Sequence, residues 1–349
     1  MSIRVTVVRG ETPESEHAVD GVVVDAQGDI LAATPRPDRV TFFRSSAKPF
    51  QMLPLVERGH FDALGLPERL LALIAASHNG EPVHVEGARA ILAACGRTEQ
   101  DLECGFQWPE HHPTVKMLRE APPEARTGIY NNCSGKHSGM IALAASEGWP
   151  VAGYTKVDHP VQVAALDAIA DVCGVERAGL PLGTDGCSAP NPAMTLIAMA
   201  RGFARFAAAR EGAQSPRERS LARIRRAMLE NPELVAGTGR FCTALMRVTR
   251  GRLVTKTGAE GVQCVGEPAR GLGIVVKAVD GTRRAVAPAL IGWLRALDLL
   301  SAAEAEALAE FGRPIITNHR QLVVGKITAA EFPAWRVAPT SLENEATRA

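Results

Sequence analysis

Three short strings in this chain carry side chains that could do chemistry together: Ser45-Ser46-Ala47-Lys48, Ser77-His78-Asn79 and Lys256-Thr257-Gly258. A serine hydroxyl is a weak nucleophile at neutral pH and needs a base within hydrogen-bond reach. Residues three apart on a helix share a face, with Cβ atoms about 5–6 Å apart. Ser45 and Lys48 therefore meet if a helix begins near Ser45, and Pro49 supports that start, because proline is tolerated in a first turn. Ser46 is a rival, but its residue three along is proline. The free N–H groups of a first turn also suit a developing oxyanion. Lysine titrates near pH 10.4 and must lose its proton to serve as base. Burial or a second cation does that, and Lys256 is the natural second cation. Ser77, after the apolar run 70–76, could relay a proton to a leaving group. His78 could be an acid or base, although a histidine in a turn is more often a surface group. Gly258 permits close approach of a substrate to a strand. Against these stand plainer roles: Ser45 as a helix cap, Ser77 to Gly80 as a polar turn, and Lys256 to Gly258 as the end of an edge strand.

Two further loops carry thiols. Asn131-Asn132-Cys133-Ser134-Gly135-Lys136-His137 precedes a helical pattern, and Thr184-Asp185-Gly186-Cys187-Ser188-Ala189-Pro190 is marked by glycine and proline. Loops usually display reactive or ligating groups. Thiolate and imidazole suit zinc, which makes Cys133, Cys187 and His137 the default trio. Lysine is an unusual ligand, since it must bind as a free amine. With no C-x-x-C pair, two unrelated thiols remain the simpler account of the spacing alone.

The elements that must position these residues divide the chain in three. Strand-like runs open it at 3–8, 18–25 and 29–33, the last two joined by a Gly-containing hairpin loop. From 45 to about 250 the period is helical, with candidate helices at 48–57, 67–76, 83–95, 134–146, 160–172, 194–209, 216–229 and 243–248. Strand character returns at 252–256, 261–265 and 272–279, followed by helices at 286–299 and 302–311. The economical fold is α/β of the α+β kind: one antiparallel sheet built from both chain ends, covered by helices, with a helical lobe inserted. The expected division is a sheet lobe of residues 1–44 and 251–340 and a mainly helical lobe of residues 45–250, working as one functional unit. The tail beyond about 340 is polar and expected to be mobile.

Composition excludes several classes. The 349 residues are 46% hydrophobic, enough for a sizeable core. Basic and acidic residues number 39 and 38, so no charge excess favours nucleic acid or an anionic membrane. Aromatics at 5% give little stacking surface for bases. No apolar run reaches membrane-spanning length, and Arg9 interrupts the N-terminus before a signal-peptide core appears. Seven scattered cysteines do not read as a disulfide framework. A reduced, cytoplasmic protein is expected.

In order, the first three strings spell S-x-x-K, S-x-N and K-T-G, which resembles the signature of serine β-lactamases and penicillin-binding proteins, enzymes that cleave amides through an acyl-serine. The longer strings from Arg44 to Pro49, Ala76 to Glu81, Asn132 to His137 and Gly183 to Cys187 together resemble the rhizobial-type, thermolabile L-asparaginase family (asparaginase II) over nearly the whole chain. That resemblance implies a serine-β-lactamase-like and glutaminase-like fold, a homodimer, and conversion of L-asparagine and water to L-aspartate and ammonia. It implies Ser45 as nucleophile with Lys48 as base, and Ser77 with Lys256 as a second serine–lysine partnership. It further implies zinc held by Cys133, Lys136 and Cys187 and supporting substrate handling. Arg44 and Asp185 are then candidates to bind the substrate's charged groups, and His137 a candidate beside the metal and substrate. The alternatives are a serine amidohydrolase of another small amide such as glutamine, and a non-enzymatic zinc-dependent ligand sensor.

Overall fold

The computed structural model describes residues 1–330; the tail expected to be mobile and the last ten residues of the expected sheet lobe lie outside them. The chain separates into two compact units, one of residues 1–39, 195–208 and 259 onward, the other of residues 40–194 and 209–258.

The first unit is built on an antiparallel sheet from both chain ends. Its strands run in the order Ile315–Thr317, Val323–Ala329, Ile3–Arg9, Thr12–Val24, Leu272–Ala278 and Val262–Glu267, with Ile30–Ala33 paired to Thr12–Val24. Val19, Val22, Val23 and Val24 are fully buried, as is most of Leu272–Ala278. Burial on both faces explains why these strands read as apolar runs and do not alternate. Two glycines make room for the covering helices. A Cβ on Gly21 would sit 2.1 Å from the Trp293 ring of the Val286–Ala296 helix, and one on Gly273 would sit 1.9 Å from the Ala200 carbonyl oxygen of the Leu196–Ala208 helix. Gly273 pairs with Val24, three residues from Gly21. Side chains alternate along a strand, so the two glycines open on opposite faces and each admits one helix. The helix predicted at 194–209 thus belongs with the terminal strands, because their second face needs an apolar cover.

The second unit is mainly helical. Its Leu70–Ile74 helix is buried on every side. The Ser134–Glu147 helix approaches it at backbone distance: a Cβ on Gly135 would lie 2.3 Å from the Leu73 carbonyl oxygen, and one on Gly139 2.7 Å from the Ile74 Cγ2 methyl. This brings the turn at Cys133 beside the segment that runs on into Ser77, where the His78 N–H donates to the Asn132 carbonyl at 3.2 Å. The helix predicted at 48–57 is two, Lys48–Gln51 and Leu53–Glu57. Pro54 has no N–H to continue the ladder across Met52. A small sheet, Val40–Phe42, Pro190–Thr195 and Leu182–Thr184 with the second in the centre, completes this unit.

Candidate active site

Every site residue named from the sequence falls in the second unit. The 3₁₀ turn Arg44–Ala47 runs into the Lys48–Gln51 helix, and the Lys48 N–H donates to the Ser45 carbonyl. The turn is started by Arg44 at φ 53°, a left-handed conformation that side-chain-bearing residues seldom adopt and that clusters at functional sites. Two contacts hold it there. The Arg44 N–H donates to Asn191 Oδ1 at 3.0 Å, and the Arg44 guanidinium pairs with Asp185 at 3.0 Å. Asp185 also accepts the Gly186 N–H at 2.8 Å. Ser45 is half-buried, whereas Ser46 is fully buried and donates to the Lys256 carbonyl at 3.0 Å. Ser46 therefore ties the turn to the Val254–Gly258 strand, and Ser45 is the hydroxyl left accessible.

Behind Ser45 lies an array of two lysines and a serine. Lys48 Nζ and Lys256 Nζ each stand 2.8 Å from Ser77 Oγ. Lys48 also donates to the Ala76 carbonyl, and Lys256 to the Thr257 carbonyl at 3.0 Å. A hydroxyl can accept two hydrogen bonds and donate one, which lets Ser77 sit between both amines. Both lysines are buried. Burial, followed by the neighbouring charge of Lys48, brings the Lys256 ammonium down to about 7. A free amine is thus available at Lys256 near neutral pH. Among the described residues the Ser45 hydroxyl makes no hydrogen bond.

His78 is buried, against the expectation of a surface group. Its Nδ1 accepts the Gly80 N–H at 3.2 Å, so its Nε2–H faces Ser134 Oγ at 3.0 Å. It stacks on His84 with ring centroids 4.8 Å apart. Burial, then the charges of His84 and Lys48, hold it well below the usual histidine range. It is a neutral strut between the Ser77 segment and the start of the Ser134–Glu147 helix.

That helix start carries the thiols. Cys133, Cys187 and Cys104 pack into one buried cluster with Ala189. The Cys133 N–H donates to Asn131 Oδ1 at 2.9 Å, and its thiol lies 2.9 Å from Asn132 Oδ1. Lys136 Nζ stands 3.1 Å from Cys187 Sγ. Hydrogen bonding with Cys133, then the Lys136 charge, holds Cys187 far below the ordinary thiol range, while the same hydrogen bond and burial push Cys133 well above it. Of the two thiols, Cys187 is the one held toward its thiolate and Cys133 the one held toward its neutral form. Burial would lower Lys136, but the charge of Cys187 overcomes it and raises the ammonium. Burial pushes the Cys104 thiol up to about 12. His137 is fully buried, held down to about 4 by burial and the Lys136 charge.

The donor set fits zinc. Two soft sulfurs lie in one buried cluster with the Lys136 side chain against Cys187, and the adjacent residue, His137, has an Nε2 with no hydrogen-bond partner. Among the described residues no three His, Cys, Asp or Glu side chains form a metal-holding group; Lys136 enters the ligand set only through the family resemblance.

The family model for L-asparaginase II matches residues 5–329. The chain belongs to the L-asparaginase II family. It is on that ground an amidohydrolase of the asparaginase type, acting on a small molecule. No curated protein matches the chain. Among solved structures, one from Bacteroides dorei DSM 17855, provisionally assigned as a beta-lactamase, is 11% identical, with a TM-score of 0.36 over 83% of this chain and 92% of that chain. Among the described residues of this L-asparaginase II family member, no helix is long and apolar enough to cross a membrane.

The structure brings the sequence-named residues into three groups: Lys48, Ser77 and Lys256 around one hydroxyl; Arg44 with Asp185; and Cys133, Lys136, Cys187 and His137. Ser45 adjoins the first by one turn and the second through Arg44. Cys104 and the strut role of His78 had no signal in the sequence, because the segments they pack against, at Cys133–Ser134 and Cys187, lie far along the chain.

Proposed function

We propose that this asparaginase II family member hydrolyses L-asparagine to L-aspartate and ammonia through an acyl-enzyme on Ser45. The observation that carries this reading is the Lys48–Ser77–Lys256 array, one turn from an accessible serine, in a chain of this family. Ser45 Oγ attacks the side-chain amide carbon as its proton passes to Lys48. Lys48 gives a proton to Ser77, and Ser77 gives its own to the free amine of Lys256. The tetrahedral adduct collapses as that proton returns along the array to the departing nitrogen, releasing ammonia and leaving a β-aspartyl ester on Ser45. Water, deprotonated by the same array, attacks the ester and restores the Ser45 hydroxyl. General-base assistance of this kind is worth about 10²–10⁴-fold.

Arg44 and Asp185 suit the two ends of a free amino acid, the guanidinium for its carboxylate and the carboxylate for its ammonium. Cys133, Lys136 and Cys187 would hold zinc, which when bound supplies a positive charge for substrate handling. Asparagine and glutamine differ by one methylene, worth only about 1–3 kcal/mol in a pocket, so the comparison must be made directly. Ammonia release should be faster from asparagine than from glutamine, and a chelator should lower it; release from neither amide would refute the reading. The homodimer belongs to the same reading, and light scattering tests it.

One observation favours a second reading, with Ser77 as nucleophile: both lysines bond its oxygen, whereas the Ser45 hydroxyl bonds neither. Ser77 is however buried and committed on both sides, and Ser45 is the more open to substrate. Mass analysis of peptides from enzyme quenched during turnover separates the two, since a β-aspartyl adduct must sit on one serine or the other.

A further inference from the structure

The segment from Ser77 to Asn79 belongs to no helix or strand, so its place is set by what its backbone bonds to. Its N–H groups go alternately to two neighbours. His78 donates to the Asn132 carbonyl at 3.2 Å, whereas Ser77 and Asn79 donate to the Val235 and Ala236 carbonyls at 2.9 and 3.0 Å. Residues 233–238 thus form an arch against the segment that carries the hydroxyl shared by Lys48 and Lys256.

Both ends of the arch are held by one element, the start of the Pro82–Ala94 helix. At one end, His84 Nε2 lies 2.8 Å from the Glu233 carbonyl oxygen. His84 Nδ1 accepts the Glu81 N–H at 3.0 Å, so the ring hydrogen sits on Nε2 and is donated to that carbonyl. At the other end, the Glu81 carboxylate accepts the Thr238 N–H at 2.7 Å and one N–H of the Asn79 amide at 2.9 Å. The second N–H of that amide goes to the Thr238 carbonyl at 3.3 Å. Two acceptors on one side fix which end of the Asn79 amide is nitrogen, and they use both of its hydrogens. Gly237, at φ 111°, lets the arch close on this amide: a Cβ there would lie 2.2 Å from Asn79 Oδ1.

We propose that Glu81 and His84 are positioning residues that hold Ser77 between Lys48 and Lys256 by fixing the two ends of the 233–238 arch. Glu81 secures Thr238 and the Asn79 amide, His84 secures Glu233, and the carbonyls between those points hold the Ser77 and Asn79 backbone. Asn79, the last residue of the S-x-N string, serves this clamp with both hydrogens of its amide. The catalytic consequence rests on the reaction proposed above, in which Ser77 passes a proton between the lysines; the clamp itself does not.

Two measurements on Glu81→Ala test this. Misplacing a reacting group is costly even when binding is untouched, so kcat for ammonia release from asparagine should fall about 10–100-fold with KM unchanged. In a Ser77→Ala background the same substitution should cost no further rate, because a residue that acts through the Ser77 hydroxyl has nothing left to position. A loss as large in that background as in the wild type, or a rise in KM with kcat unchanged, overturns the proposal. Amide hydrogen exchange supplies the second readout. The Ser77 and Asn79 amides should exchange faster in Glu81→Ala while those of the Leu70–Ile74 helix keep their protection; unchanged exchange at Ser77 and Asn79 also overturns it. If Glu81→Ala does not fold, His84→Ala, which frees the other end of the arch, is put through the same comparisons. If the wild-type protein releases no ammonia from asparagine, the proposed reaction falls, and the exchange rates still confirm or overturn the clamp.

Discussion

At the scale of single residues, the proposed mechanism requires one lysine to lose its proton while it stays bonded to the hydroxyl it serves. Lys256 has the burial and the neighbouring Lys48 charge that this requires. Below pH 7 its amine is protonated and the array has no acceptor. The kcat/KM profile should therefore rise through an apparent pKa near 7, and Lys256→Met should lose about 10²–10⁴-fold in rate together with that ascending limb. An unchanged limb in the variant would assign it to another group. Arg44 is held at positive φ by its contacts to Asn191 and Asp185. Arg44→Gly relieves backbone strain of about 1 kcal/mol and removes the ion pair, so KM for asparagine should rise while the melting temperature holds or increases. The types of Ser45, Lys48, Ser77 and Lys256 were legible from their strings. The burial of His78 was not, because a Ser-His-Asn-Gly turn looks the same whether or not a distant helix start covers it.

At the scale of elements, contact between the Ser134–Glu147 and Leu70–Ile74 helices joins the thiol cluster to the serine–lysine array. That contact depends on Gly135, whose missing Cβ leaves room for a backbone carbonyl that cannot move aside. Gly135→Ala should cost about 1–3 kcal/mol, read as a lower urea midpoint, and should weaken metal binding by displacing Cys133. A fully stable variant would show that the two helices can separate freely. Most long helices could be read from apolar spacing. The Pro190–Thr195 strand was missed, since Pro190, Asn191 and Pro192 read as loop when the neighbouring strand segments are too short to announce a sheet. The helix at 196–208 was visible, but not its partner: periodicity identifies an apolar face without saying which surface it covers.

At the scale of the whole molecule, buried titratable groups link folding to pH. Lys256 is lowered from 10.5 to about 7 in the folded chain. Between those values the unfolded chain binds more protons, so the stabilisation grows as pH rises above 7 and is lost as pH falls through 7. His78 and His84 are also lowered, chiefly by burial. Their neutral forms favour folding above about pH 6.5, and stability falls further as the unfolded chain takes up protons below it. The urea midpoint should decline from pH 9 to pH 5 in the wild type, with the upper part of that slope flattened in Lys256→Met; a parallel slope in both would place the lysine's titration outside this range. The sheet from both chain ends was legible because strand patterns bracket a helical middle. Its last two strands, Ile315–Thr317 and Val323–Ala329, were not, being short or half-exposed. What joins these scales is the serine that opens the first string. Ammonia release from asparagine by Ser45→Ala tests it most directly: a loss of at least about 10³-fold in rate is expected, and release at a rate near that of the wild type would contradict an acyl-enzyme on Ser45.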